Sequence, residues 1–597
     1  MNNAAVLHTF HIPVMGIGFT IDTPLRVAPY GISSTISLLD DMLIEKMREF
    51  YCMKFDMPFK AISDKIEDYR AKRITAYLNF LDKVVKEKFE GLKQSIHEKG
   101  NEFEKYIEML PDISTIKQRF REFVQKKRSE LEMINWGNLH LMPGSIDVNI
   151  MTKLDKENYV NNEKLPVEFN DAHAAMRGFA NSNLESGIVL SAGINPRLYS
   201  YMENFDDFYP DADGNIRKKI ILKISDYKSA LIQGKFLANK GLWVSEFRIE
   251  SGLNCGGHAF ATDGYLMGPI LEEFKEKREA LFLLLEEVFS KSLQQKGKIV
   301  PKTRPAIKVT AQGGVGTSEE HNFLLEYYNL DSIGWGTPFL LVPEATSVDP
   351  HTQELLCKAT EKDLYLSHVS PLGVRFNNLR SNSKDIEKQG FIDQGKPGST
   401  CPKRYASLSK EYTEKAICTA SRQYQRIKIK ELDNAGLSPE SYTKAYNKVV
   451  DKSCLCVGLG TSALLINDLN TKVEGPGVSI CPGPNMAYFS KVVSLKVMID
   501  HIYGRQNIIE RTDRPNMFVK ELEMYISYFS EMIEDAAAPA SESIKKGWLN
   551  FQKNLKEGIA YYKSLFLNQD KTKPETNDKI ISDLEILENQ LEKINLA

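Results

Sequence analysis

The stretch "ESGLNCGGHAF", residues 250–260, sets Cys255, Gly256, Gly257 and His258 directly behind an apolar run. Histidine is the side chain whose unperturbed pKa, about 6.5, suits proton exchange near neutrality. The two glycines before it let the backbone turn tightly or approach a bound molecule. Cys255 reads as a small buried residue or, with a lowered pKa, as a reactive thiol. A second group follows in "IKVTAQGGVGTSEEH", where a strand pattern ends in Gly313 and Gly314 and leads into a helix with acids in its first turn. Such glycines present backbone N–H groups to a phosphate, and a helix N-terminus favours an anion. Further on, "GWGTPF" closes another strand with Gly336 and Thr337. A plain tight turn is the alternative reading of each. A third group is Cys401, Cys418, Cys454, Cys456 and Cys481, spaced C-x16-C-x35-C-x-C-x24-C among Gly and Pro. Thiolates in fours suit an iron–sulfur cluster or zinc; scattered buried cysteines are the other reading.

These residues need elements to hold them. Eight short apolar runs have strand length and β-branched content: 11–20, 31–37, 146–151, 187–193, 219–225, 242–250, 306–314 and 331–337. Helical patterns such as 226–241 and 318–330 lie between most of them. Alternation of this kind means parallel βαβ units. A (β/α)8 TIM barrel fits eight strands and places its site at their C-terminal ends; an open doubly wound sheet has the same alternation. The barrel is expected from 1–37 and 140–383, interrupted by a charged, aromatic helical insertion over 38–139. Residues 384–485 form a Cys-, Gly- and Pro-rich region, and 486–597 a helical C-terminal region with a polar linker at 568–579.

Composition narrows the function classes. The chain of 597 residues is 42% hydrophobic and 26% charged, with a net charge of −2. No basic excess points to nucleic acid. Eight cysteines are too few for a disulfide scaffold, so a reduced, cytoplasmic chain is expected. Charge interrupts every apolar stretch before about 18 residues, which predicts no membrane span. The N-terminus lacks a basic leader and reads as the first strand rather than a signal peptide.

The motifs taken in order resemble a known family. "AQGGVGT…DSIGWGTPFLLVPEAT…KATEKDLYLSHVSPLGVRFNNLR", with Glu344-Ala345, Thr360 to Asp363 and Arg375 to Arg380, is similar to the late-barrel signature of the nitronate monooxygenase (2-nitropropane dioxygenase)-like superfamily. That superfamily includes flavin-dependent enoyl-acyl-carrier-protein reductases and the enoyl reductase subunit of polyunsaturated fatty acid synthases. Gly256-Gly257-His258 match its Gly-Gly-His, and "PVMGIGFT" its Pro-Met-Gly first strand. The resemblance implies an FMN-binding barrel. Met15, Gly16 and Asn149 would touch the flavin, Gly313, Gly314, Gly336 and Thr337 its phosphate, with Gly256 and Gly257 alongside. His258 would act as acid or base in hydride transfer between flavin N5 and an enoyl or acyl thioester, free or linked to an acyl carrier or coenzyme A. It also implies that a 4Fe–4S cluster on four of the five cysteines could serve an electron-transfer partner. A nitronate monooxygenase using oxygen and a non-catalytic partner-binding barrel are the alternatives, and a homodimer is open. The chain leaves the family pattern at Gly252 to Cys255, which places its own substrate selectivity there.

Overall fold

In the sequence "VSEFRIE", charged and apolar residues alternate, and alternate residues of a strand face opposite ways. The computed structural model, which describes residues 7–97, 101–126, 129–191, 193–536, 540–568 and 574–596, turns that alternation into a closed barrel. Its strands are β1 (Phe10–His11), β2 (Ser34–Ser37), β3 (Ile146–Met151), β4 (Gly187–Ser191), β5 (Lys219–Ile224), β6 (Val244–Glu250), β7 (Lys308–Gln312) and β8 (Ser332–Gly334). All neighbours pair in parallel, β1 lying beside β8 at one end of the order and β2 beside β3 at the other. Closure comes from Ile12, which pairs with Ser34. Its N–H donates to Ser33 O at 2.9 Å and its carbonyl accepts from Thr35 N at 3.0 Å. The fold is therefore a (β/α)8 barrel, and the open doubly wound sheet is excluded.

The alternation in β6 sends Phe247 outward. There its ring meets Phe274 and Phe282 of the helix Met267–Gln295. Buried Phe274, Leu281, Phe282, Leu285 and Phe289 recur along that helix at helical spacing, so one apolar stripe covers the barrel. Glu246, Arg248 and Glu250 share the opposite face of β6. Register pairs Arg248 with Thr310 and Glu250 with Gln312 of β7. Glu246 accepts from Arg248 at 2.8 Å and from Thr310 Oγ1 at 2.7 Å, so the charged layer is internally paired.

The strand expected over 11–20 is shorter than its apolar run. Pro13 has no N–H to donate to a ladder, and Gly16 takes φ 54; residues 13–22 become a loop over the barrel mouth. The insertion between β2 and β3 is helical, with helices at Asp41–Lys54, Tyr69–Gln94, Glu102–Met109, Thr115–Val124 and Glu130–His140. Arg70, at the start of the second, pairs with Asp41 at 2.6 Å and donates to Asp171 O at 3.1 Å, which fastens the insertion to the barrel helix Asp171–Ala180. The C-terminal region does not stand apart. Its helix Leu455–Leu465 packs on the first loop, where Ile17 N and Gly18 N donate to Leu459 O at 3.2 and 2.8 Å. Its helix Met517–Glu534 packs behind the loop after β6 through Glu521. The polar linker at 568–579 falls partly outside the described residues. No helix among the described residues is long and apolar enough to cross a membrane.

Several core histidines are neutral because burial removes water from the charged form. Burial pushes His8 down to about 4, and burial with the Arg248 charge pushes His11 to about 3. Burial alone takes His321 to about 3. The unfolded chain, with histidines near 6.5, thus binds more protons than the folded one below that pH. Stability is complete above pH 6.5 and falls as pH drops towards 4, by up to about 1.4 kcal/mol per pH unit per histidine. Glu521, raised to about 7 by burial, has the opposite sign and offsets roughly one of these. Calorimetry at pH 7.5, 6 and 5 is expected to show Tm falling before the ordinary carboxylates titrate; a Tm flat to pH 4.5 would refute it.

Candidate active site

The strand ends converge on one cavity at the C-terminal mouth of the barrel, with about 1630 Å³ of unfilled space including its opening. Met15, Gly16, Asn149, Gly256, Gly257, His258, Gly313, Gly314, Gly336 and Thr337 all line it. The sequence motifs, more than 300 residues apart, are thus brought into one wall-to-wall set.

The glycines make room. Gly313 and Gly314 have φ 124 and 82, a region open to glycine. A Cβ on Gly313 would lie 2.8 Å from Cys255 Sγ, and one on Gly314 would overlap the Asn254 side chain. The helix Ser318–Tyr327 that follows does not offer its N-terminus to an outside anion. Glu320 already accepts from Gly316 N at 2.9 Å and pairs with Arg514 at 2.8 Å, while Thr317 caps Glu320 N. The acids in that first turn, read from the sequence as compatible with a phosphate-binding end, occupy it themselves. What faces the cavity is the backbone of Gly313–Gly314 and Gly336–Thr337. Thr337 Oγ1 is held by Gly483 N–H at 2.9 Å, from a C-terminal strap across the mouth.

The inward tips of three strands add residues that the motif reading did not single out. Lys223 of β5 pairs with Glu250 of β6 at 2.7 Å, and Gln312 of β7 donates to Glu250 at 2.9 Å. Position was their signal: each stands at or near the C-terminal end of a barrel strand, on the face its alternation turns inward. Three amide oxygens of lining residues, Asn149 Oδ1, Asn254 Oδ1 and Gln312 Oε1, are buried with no hydrogen-bond partner within the protein. An unsatisfied buried acceptor costs about 1–3 kcal/mol, so these atoms mark where a ligand's donors fit.

His258 Nε2 lies 2.7 Å from Ser370 Oγ, and its ring stands edge-on to Phe376 at 4.9 Å. Burial first, and the nearby Lys223 charge second, push it down to about 4. The ring is therefore neutral at pH 7 for a stronger reason than its ordinary pKa. Cys255 is pushed well above the usual thiol range by burial and by Glu250, and its thiol meets Gln312 O at 3.4 Å. It is held as a thiol, which removes the reactive-thiolate reading. The divergent residues Gly252 to Cys255 turn partly towards the C-terminal helix. Asn254 Nδ2 donates to Met517 O at 3.0 Å, and the neighbouring Ser251 Oγ donates to Glu521 at 2.5 Å.

Of the five C-terminal cysteines, Cys481 stands apart on the strap. It lines the cavity, and its sulfur receives the N–H groups of Gly16 and Gly257. Cys401, Cys418, Cys454 and Cys456 lie together beside the mouth, with Cys456 also lining it.

No family model matches the sequence, and no curated protein does. Among solved structures, the enoyl reductase domain of MlnA from the macrolactin biosynthesis cluster of Bacillus amyloliquefaciens aligns at 12% identity, over 83% of this chain and 92% of that chain, with a TM-score of 0.37. The barrel assignment rests on the strand pairing above and takes nothing from this likeness.

Proposed function

We propose that this chain is an FMN-dependent oxidoreductase acting on the C=C bond of a 2-enoyl thioester or a related acyl substrate. The observation that carries the reading is the convergence of glycine-lined loops, orphaned amide oxygens and a buried neutral histidine on one cavity at the barrel mouth. The residues suit the group. Gly313, Gly314, Gly336 and Thr337 would hold the phosphate by backbone N–H groups. Asn149 and Gln312 have free acceptors that would suit the N–H of a flavin ring, and Lys223 would add a cation to the same wall. Bound there, FMN supplies two-electron hydride chemistry.

The protein's own part is positioning and proton management. Glu250 fixes the Lys223 ammonium, and Gln312 fixes Glu250. Ser370 holds one ring nitrogen of His258, so the imidazole is oriented before any substrate arrives. A neutral imidazole donates a hydrogen bond from one nitrogen and accepts one at the other, so His258 can polarise a substrate carbonyl at pH 7 without becoming charged, while solvent supplies the proton that the product carbon takes up. Apolar Pro371, Leu372, Phe376 and Ile480 also line the cavity.

Titration of the purified protein with FMN and with riboflavin, followed by flavin fluorescence, tests the cofactor. About one FMN per chain is expected, with riboflavin much weaker because it lacks the phosphate. Gly314→Val, whose side chain would overlap Asn254, should lose at least tenfold in FMN affinity while keeping the parent's circular dichroism. Equal binding of FMN and riboflavin would displace the phosphate loops from this role, and no binding of either would reject the flavoenzyme. With FMN bound and reduced by dithionite, anaerobic crotonyl-CoA should reoxidise the flavin. Oxygen-dependent nitronate consumption without that reoxidation would select the monooxygenase instead.

A further inference from the structure

The cysteine group beside the cavity is built from three separate chain segments. Cys401, Cys418 and Cys456 share one buried cluster with Leu154, Tyr405, Ala406 and Ala420. Parallel bridging of Ser399 to Ser421 sets the first two side by side, through Ser399 N to Ala420 O at 3.0 Å and Arg422 N to Ser399 O at 2.8 Å. The Cys401 thiol interacts directly with those of Cys418 and Cys454. Cys454 is the N-cap of the helix Leu455–Leu465 and Cys456 lies in its first turn. Both thus sit at the N-terminal end of that helix. Cys401 has φ 54, a left-handed conformation uncommon for a residue with a side chain and retained where the surroundings require it.

The cysteines form no cross-link. All eight cysteines are free thiols, and the contacts of the Cys401 thiol with those of Cys418 and Cys454 gain little by themselves, because S–H is a weak donor and sulfur a weak acceptor. A single zinc ion would draw its donors to about 2.3 Å of one point, and no three His, Cys, Asp or Glu among the described residues are grouped to hold such an ion. An iron–sulfide cube is wider than one ion and takes its four thiolates at separate corners.

We propose that Cys401, Cys418, Cys454 and Cys456 ligate a 4Fe–4S cluster, and that Cys481 does not. Its place follows from the lining residues: Cys456 and Ala406 also face the barrel cavity, so the cluster borders the space where the redox group would lie. The proposal does not depend on what the cavity holds.

Anaerobic reconstitution of the full chain with ferrous iron and sulfide tests it. About four iron and four sulfide per chain are expected, with an electron paramagnetic resonance signal after dithionite reduction. Cys418→Ser and Cys454→Ser should each lose at least half of the bound iron and alter that signal, with Tm retained within a few degrees. Cys481→Ala and Cys52→Ala should keep both. Folded wild-type protein that takes up no sulfide, or that holds zinc instead, would overturn the proposal. Full iron in Cys418→Ser and Cys454→Ser, or its loss in Cys481→Ala, would overturn the ligand set. Should the serine variants fail to fold, the wild-type iron and sulfide count still decides. FMN titration of the same samples separates failure of this site from failure of the flavin reading.

Discussion

Lys403→Met is expected to lower the stability of the whole chain by about 3–5 kcal/mol, the cost of breaking a buried ion pair from one side. Lys403 Nζ lies 2.5 Å from Asp40 and 3.1 Å from Glu474, and the three side chains are 1%, 0% and 1% exposed. Removing the cation leaves two carboxylates out of water. Glu474 keeps Lys46 at 2.9 Å, but Asp40 keeps only neutral donors: the Tyr405 hydroxyl at 3.1 Å and the Leu43 N–H that it caps at 2.9 Å. The ammonium therefore matters more to Asp40 than any other contact does. Lys410→Met removes a lysine whose side chain is 54% exposed and paired with Glu157, so its loss should lie within about 1 kcal/mol. Denaturant midpoints for the two variants check this. Equal losses would mean that the buried triad contributes no more than a surface pair.

That triad also marks how far the sequence could be read. The eight barrel strands were legible because each is a short apolar run bounded by turn residues, and the parallel sheet buries both faces of nearly all of them. The helical insertion was legible from its periodicity and its scarcity of Gly and Pro. Long-range pairing was not. Nothing near Lys403 announces Asp40, 363 residues away, and nothing near Glu320 announces Arg514. The same limit explains the cysteines. Spacing offered five equivalent thiols, but the strap 480–485 is tied to Gly257 and Thr337 at the barrel mouth, which carries Cys481 away from the other four. Lys223 and Gln312 were half legible: strand alternation turns them inward, yet only the barrel register shows that both meet Glu250. The Gly-rich stretch "CVGLGTSA" lies within a buried helix. Its Gly458 lies against Ser479, and its Gly460 lets the first barrel loop approach closely.

The largest effect on activity is expected from His258→Ala, with FMN still bound. General acid–base groups contribute roughly 10²–10⁴-fold to rate, and His258 combines a neutral ring, an orienting hydroxyl and a place in the cavity wall. The rate of flavin reoxidation by crotonyl-CoA should therefore fall by that factor in His258→Ala, while the Kd for FMN changes less than threefold. Ser370→Ala, which frees the ring but leaves it present, should cost less and should be partly restored in Ser370→Thr, because the hydroxyl returns. The pH profile separates chemistry from structure. Burial and Lys223 hold the ring at about 4, so the wild-type rate should show no ionisation near 6.5, and any change that depends on this ring should come only as pH approaches 4, where the imidazole charges. A limb near 6.5 that disappears in His258→Ala would mean that the ring is solvated in the working enzyme. Undiminished turnover in that variant would move the polarising role to another residue of the rim.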